Sequence, residues 1–256
     1  MNEKSYIRLC ILEVIMNFLI SIIVAISLVA IGRDFIKKHA NFCYILTTLL
    51  SIFLVVGSYT GIIWTLPTWF TTTILPILIK SAFSTSIFVI VMYTGAFKNG
   101  STLIKFLMPI RAELSIIAGI LTLAHNISFG KNHFVNLFTA PETMSTNMKA
   151  AAGISIILIA IMVPLLITSF PSVRKIMKPK AWKRLQRLAY LFYALVYAHV
   201  MVIMVPVALS GNTTYIINVA VYSVVFITYA VMRVSKFLTK KSSAKLKQTS
   251  LVATTN

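Results

Sequence analysis

The stretch WKRLQRLAYLFYALVYAHVMVIMVPVAL, residues 182–209, decides the fold class. It opens on Lys183, Arg184 and Arg187, then runs from Leu188 to Leu209 without a Lys, Arg, Asp or Glu. A helix over that run is about 33 Å long at roughly 1.5 Å per residue, and the hydrocarbon core of a bilayer is about 30 Å thick. A cationic block against an apolar run of membrane length predicts a transmembrane helix whose charged end stays at one headgroup layer.

The rest of the chain repeats this pattern. Of its 256 residues 58% are hydrophobic and 11% charged, and the mean hydropathy is +0.89; a soluble domain carries roughly 25% charged residues. Seven segments reach spanning length: 9–31, 43–66, 74–97, 108–129, 150–170, 186–209 and 214–235. The expected fold is therefore all-α, a polytopic membrane bundle of about seven transmembrane helices. The pattern is weakest at 74–97, which holds Lys80 among several Ser and Thr; near a span end, Lys80 snorkels to the headgroups. The first apolar run, to Ile31, exceeds a signal-peptide core and lacks a small-residue cleavage site, so it reads as a retained helix. The division that follows is two N-terminal transmembrane helices (1–73), a principal transmembrane domain (74–237) and a polar basic tail (238–256).

A net charge of +19 suggests a nucleic-acid binder until the positions of the charges are considered. Arg33, Lys37 and Lys38 follow the first span, and Lys98, Lys105 and Arg111 follow the third. Arg174, Lys175, Lys178, Lys180, Lys183, Arg184 and Arg187 follow the fifth, and Arg233, Lys236, Lys240, Lys241, Lys245 and Lys247 follow the seventh. The opposite side keeps only Lys4, Arg8, Lys131 and Lys149, with Lys80 inside a span. This is the positive-inside distribution, and it predicts the N-terminus outside and the C-terminus in the cytoplasm of a multi-pass protein of the cytoplasmic membrane. The basic segment 174–187 faces anionic lipid or docks a partner. Cys10 and Cys43 stand in or beside apolar runs, apart from any second Cys at metal-ligand spacing, and read as small apolar residues.

Ionisable side chains inside a membrane are where function is sought first. Two of the four histidines fall within spans: His125, 14 residues after Arg111, and His199, 13 to 15 residues after Arg184 to Gln186. At roughly 1.5 Å per residue both stand about 20–22 Å from the basic rim, at one level in the outer half of the bilayer. Two imidazoles facing each other on different helices are the axial pair of a b-type haem. Leu121, Phe129, Phe192, Leu195, Val196 and Met201 supply apolar surroundings, and Gly119 permits close approach. The competing reading is that each histidine bonds a Ser, a Thr or a backbone carbonyl of a neighbouring helix. His39 and His133 read as loop histidines. No paired carboxylates, phosphate loop, nucleophile elbow or zinc spacing is present, so no catalytic residue is assigned.

The phrases IRAELSIIAGILTLAH (110–125), LLITSFPSVRK (165–175) and WKRLQRLAYLFYALVYAHV (182–200) resemble the ferric reductase-like transmembrane family. Within it, the stretch from Ile79 to Val205 is most similar to the haem-bearing membrane subunit of a bacterial periplasmic methionine sulfoxide reductase system. Arg111 and His125 match the Arg-led first phrase, Thr168 and Ser169 the second, and Trp182, Leu185, Arg187, Leu188, Tyr190 and His199 the third. The resemblance implies a haem b held by His125 and His199 as iron ligands, carrying electrons across the membrane to an extracytoplasmic acceptor. Gln186 stands where the family usually has a histidine for an inner haem, and an amide is a poor haem ligand, so one haem is expected in the outer half. The chain shows no dinucleotide fingerprint, so the resemblance implies a separate donor, a quinol or a flavoprotein, with any flavin or quinone brought by that partner. On this reading the chain is a subunit of an oxidoreductase. The alternatives are a cofactor-free transporter, for which Pro76, Pro109, Pro164 and Pro206 at or within spans speak, and a membrane scaffold without haem.

Overall fold

The computed structural model describes the backbone of residues 3–253 and the side chains of residues 18–239 and of Ser242. The side chains of Lys4, Arg8, Cys10 and Glu13, and of Lys240, Lys241, Lys245 and Lys247, lie outside the described residues. Among the described residues the chain is helical without a strand. Six stretches are long and apolar enough to cross a bilayer: Phe18–Lys38, Ala40–Thr60, Thr102–Thr139, Thr146–Ile167, Pro179–Leu209 and Thr213–Thr239. Phe70–Ile79 with Ala82–Ala96 forms a seventh, bent by 46°. The protein is a multi-pass, all-α membrane bundle.

In chain order the elements are α1 (Glu3–Lys38), α2 (Ala40–Thr60), α3 (Leu75–Ile79), α4 (Ala82–Ala96), α5 (Thr102–Leu107) and α6 (Arg111–Thr139). They continue with α7 (Thr146–Ile167), α8 (Pro171–Ile176), α9 (Pro179–Gln186), α10 (Leu188–Leu209) and α11 (Thr213–Ala253). A π-helical turn, Phe70–Ile74, leads into α3. His133 is carried on α6, which continues past the expected end of its span, so it is a helical and not a loop residue.

Large apolar side chains stay exposed along the spans, Leu49 at 59% and Val224 at 66% among them, because their solvent is lipid. Apart from Asn218 the buried polar positions are small hydroxyl residues, and several of their O–H groups return to their own helix: Ser86 donates to Ala82 at 2.8 Å and Thr94 to Ile90 at 2.7 Å. Small residues with locally satisfied hydroxyls let helices approach without exposing a polar group to hydrocarbon.

Each crossing reverses direction, so the cation-rich connections gather at one end of the bundle, the basic end. There Arg33 donates to the Phe106 carbonyl at 3.0 Å, while Arg233 and Lys236 donate to the Gly95 carbonyl at 2.9 and 3.0 Å. The last two cap the C-terminus of α4, whose final carbonyls have no helical donor and carry the negative end of the helix dipole.

The four helices α4, α6, α7 and α10 form a ring. α6 packs on α4 and α7, and α10 packs on α7. α4 meets α10 through the edge-to-face pair Phe88–Phe192, 5.1 Å between centroids. α6 and α10 are diagonal and make at most glancing contact. α2 covers the outside of α6, α11 covers α10, and α1 lies against α4 and α11. The tyrosine stripe of α10 serves this outer packing. Tyr193 stacks on Phe226 of α11 at 4.2 Å, and the Tyr197 hydroxyl bonds the Ser223 hydroxyl at 2.8 Å.

Gly119 sets the spacing of α6 and α7. A Cβ there would stand 2.8 Å from Leu166 Cδ1, so the missing side chain admits Leu166 of α7. A Gly119→Leu variant is expected to lose about 1–3 kcal/mol to overpacking, read as a lower unfolding temperature in detergent. Pairing it with Leu166→Ala should recover most of the loss.

Candidate functional site

The third span is broken at Lys80 and Ser81. Ser81 adopts φ +64, ψ 11, a left-handed conformation that costs a side-chain-bearing residue energy. Its hydroxyl is hydrogen-bonded to that of Ser84, and Thr122 of α6 donates to the Ser84 hydroxyl at 3.0 Å. Lys80 is exposed at the bend. A break at membrane depth frees the last carbonyls of α3 from helical donors, and hydrocarbon offers no replacement.

His125 supplies one. Its Nδ1 lies 2.9 Å from the Ile79 carbonyl oxygen, one helical turn above the Thr122 contact. A carbonyl only accepts, so Nδ1 carries the proton. In the neutral ring this leaves Nε2 with a bare lone pair. His199 reaches the same state by another route. Its Nδ1 lies 3.2 Å from the Ala151 carbonyl and 3.2 Å from Ser155 Oγ, both on α7. Ser155 donates its own proton to the Ala151 carbonyl at 2.9 Å, so toward the histidine it accepts, and again Nδ1 donates. Neither Nε2 makes a hydrogen bond among the described residues.

The two imidazoles therefore share a tautomer, come from the diagonal helices α6 and α10, and lie within electrostatic reach of each other. Phe129 sits beside His125 with 5.3 Å between ring centroids, and Leu121, Ala124, Ala151 and Ala152 are buried nearby in sequence on α6 and α7. The bonding that the competing reading expected, histidine to carbonyl and hydroxyl, is present, but it occupies only Nδ1. No group of three or more metal-ligating side chains occurs among the described residues.

The motif residues of the basic end turn out to build a corner. Trp182 Nε1 donates to the Thr168 carbonyl at 3.0 Å, and Gln186 Nε2 to the Thr168 hydroxyl at 3.2 Å. The Arg174 guanidinium lies 4.3 Å above the Trp182 ring. These contacts fasten α9 to the end of α7 and aim α10 back through the ring. His39 lies between α1 and α2 beside the Phe35 ring, remote in sequence from both site histidines, and Arg111 lies at the basic end of α6.

Residues 84–197 match the family described as ferric reductase like transmembrane component, so this segment is similar to that family. An uncharacterized protein of Treponema pallidum (strain Nichols) is 39% identical over 229 residues, which are 90% of this chain and 63% of that protein. The chain thus spans less than two thirds of that relative's length. No solved structure matches.

The two histidines differ in what their loss exposes. In cofactor-free protein, His125→Leu should cost about 1–3 kcal/mol by stranding the Ile79 carbonyl. His199→Leu should cost less, since Ser155 still serves Ala151. Thermal unfolding in detergent checks the order.

Proposed function

We propose that the chain is the haem b-bearing membrane subunit of a transmembrane electron-transfer system, in which His125 and His199 would hold the haem iron. The observation that carries this reading is the shared state of the two imidazoles: each gives its Nδ1 proton to a fixed acceptor and keeps Nε2 free of any hydrogen bond among the described residues. Ligating histidines are held in this way, because the second hydrogen bond fixes the tautomer and raises the basicity of the ligating nitrogen. Two neutral imidazoles in apolar surroundings fit a bis-histidine haem iron.

A haem held there supplies the one-electron chemistry. The chain's own residues do the rest. The Ile79 and Ala151 carbonyls and the Ser155 hydroxyl orient the rings. α4 and α7 keep α6 and α10 apart, and the apolar walls exclude water. Gln186 spends its amide on Thr168, which supports one haem, at the end opposite the cations, and none at the basic end. The match to the ferric reductase like family supports the electron-transfer class.

On the positive-inside rule the basic end is cytoplasmic, the N-terminus is outside and the C-terminus inside, in the cytoplasmic membrane. Residues 74–237 then form the haem-binding domain, preceded by two helices (1–73) and followed by the basic tail (238–256). The chain acts as an oxidoreductase subunit, taking electrons from a quinol or a separate flavoprotein and delivering them to an extracytoplasmic acceptor. The motif likeness favours a partner of the periplasmic methionine sulfoxide reductase type.

A dithionite-reduced minus oxidised spectrum of the purified protein should show bis-histidine haem b at about one per chain. His125→Ala and His199→Ala should each abolish it. Ser155→Ala should retain the spectrum but weaken haem retention roughly 10-fold or more. Full haem in both histidine variants would remove the ligand assignment, and no haem in haem-replete cells would return the chain to the transporter or scaffold reading.

A further inference from the structure

The connection between α7 and α10 carries charge in an arrangement that the corner itself does not require. α9 and α10 run on through Arg187 as one membrane-length stretch, Pro179–Leu209. α9 is fastened by one face, where Trp182 and Gln186, a turn apart, both bond Thr168. Away from that face stand Lys180, Lys183, Arg184 and Arg187, at the spacing that places residues on one stripe of a helix. All four are exposed, and they alone line a hollow of about 200 Å³.

The stripe is unfavourable as it stands. Its members are like charges one turn apart, which repel, and Lys180 lies in the first turn of α9, at the positive end of the helix dipole. None of the four side chains makes a hydrogen bond or ion pair among the described residues, where the one ion pair is Arg33 with Asp34. Arg33, Arg233 and Lys236 at the same end are by contrast bonded to carbonyls. The positive-inside rule asks for basic residues in this segment, but not for their alignment around a shared hollow. What continues the stripe identifies the neighbour. One turn beyond Arg184 and Arg187 come Leu188 and Leu191, 38% and 50% exposed, and then Ala194, also exposed. Phe192 and Tyr193, on the other side of α10, are buried. The cations therefore stand in line with the lipid-facing side of α10, at its headgroup end. A lipid matches that continuity, because its phosphate and acyl chains lie in line along the membrane normal; a partner docking from the water does not require it.

We propose that Lys180, Lys183, Arg184 and Arg187 bind the phosphate head of one anionic phospholipid, whose acyl chains lie along Leu188 and Leu191 on the outside of α10. The guanidinium groups donate to the phosphate oxygens in pairs, and the two ammonium groups add charge to the same hollow. Occupation neutralises the stripe and pins the start of α10 at the headgroup layer. The site lies at the end of α10 remote from His199, so it does not depend on whether haem occupies the histidine pair.

The test uses the full chain in a neutral detergent, titrated with phosphatidylglycerol, phosphatidylcholine or inorganic phosphate, with native mass spectrometry and thermal unfolding as readouts. Phosphatidylglycerol is expected to stay on as one retained lipid and to raise the unfolding temperature, while phosphatidylcholine binds about 10-fold more weakly or worse. The double change Lys183→Gln with Arg184→Gln, inside the hollow, should weaken phosphatidylglycerol by about 10-fold or more. Lys175→Gln with Lys178→Gln removes the same charge from the same segment but outside the hollow, and should stay within about 2-fold of native. Should the first pair fail to fold, Arg187→Gln alone carries the same expectation of weakened binding. Equal weakening by the two pairs would reduce the site to the diffuse charge of the connection and overturn the proposal. Phosphatidylglycerol held no tighter than phosphatidylcholine, or not retained at all, would overturn it too and leave the stripe to a protein partner. Displacement of the retained lipid by inorganic phosphate at equal concentration would overturn the lipid as the source of the anion.

Discussion

Inside a bilayer every backbone donor and acceptor must be satisfied by the protein itself, and that constraint joins the fold of this chain to its candidate site. The third span breaks between Ile79 and Ala82, and the break would leave the Ile79 carbonyl unpaired in an apolar layer. His125 reaches it across the α3–α6 contact. One hydrogen bond thereby repairs the span and fixes the imidazole in the tautomer that leaves Nε2 free.

The same economy appears across the ring. Ser155 satisfies the Ala151 carbonyl and then accepts from His199, so α7 orients the histidine of its neighbour α10 without presenting an orphan group to lipid. Cations at the basic end are likewise engaged in structure: Arg33, Arg233 and Lys236 close the open carbonyls of α4 and of the α5 region. The charge asymmetry that sets topology in a membrane protein here also caps helices.

Several residues that carry the family likeness act through architecture. Trp182 and Gln186 hold Thr168, and Arg174 covers Trp182, so the order Thr-Ser, Trp, Gln, Arg-Leu encodes the corner by which α7 hands the chain to α10. Gly119, read from the sequence as permitting close approach, receives Leu166. The tyrosines at 190, 193 and 197 share a helical face, and Tyr193 and Tyr197 turn toward α11. Helical periodicity says that residues share a face; it does not say which neighbour that face meets.

Composition and apolar run length alone determined the solvent, the helical class and the number of crossings, because a bilayer admits few backbone solutions and a span has a fixed length. Counting from the basic rims sets His125 and His199 at one expected level, since rise per residue is constant along a helix. Only the tertiary structure decided which helices are neighbours, that α6 and α10 stand diagonally, and which nitrogen of each imidazole is committed. Those facts depend on contacts between residues 46 and 48 positions apart in the chain, and no local pattern encodes such a pairing. The bend at Ser81 belongs to the same class. Its hydroxyl residues and Lys80 weakened the span in the sequence, but it took the packed α6 to turn that weakness into a hydrogen-bond acceptor aimed at His125.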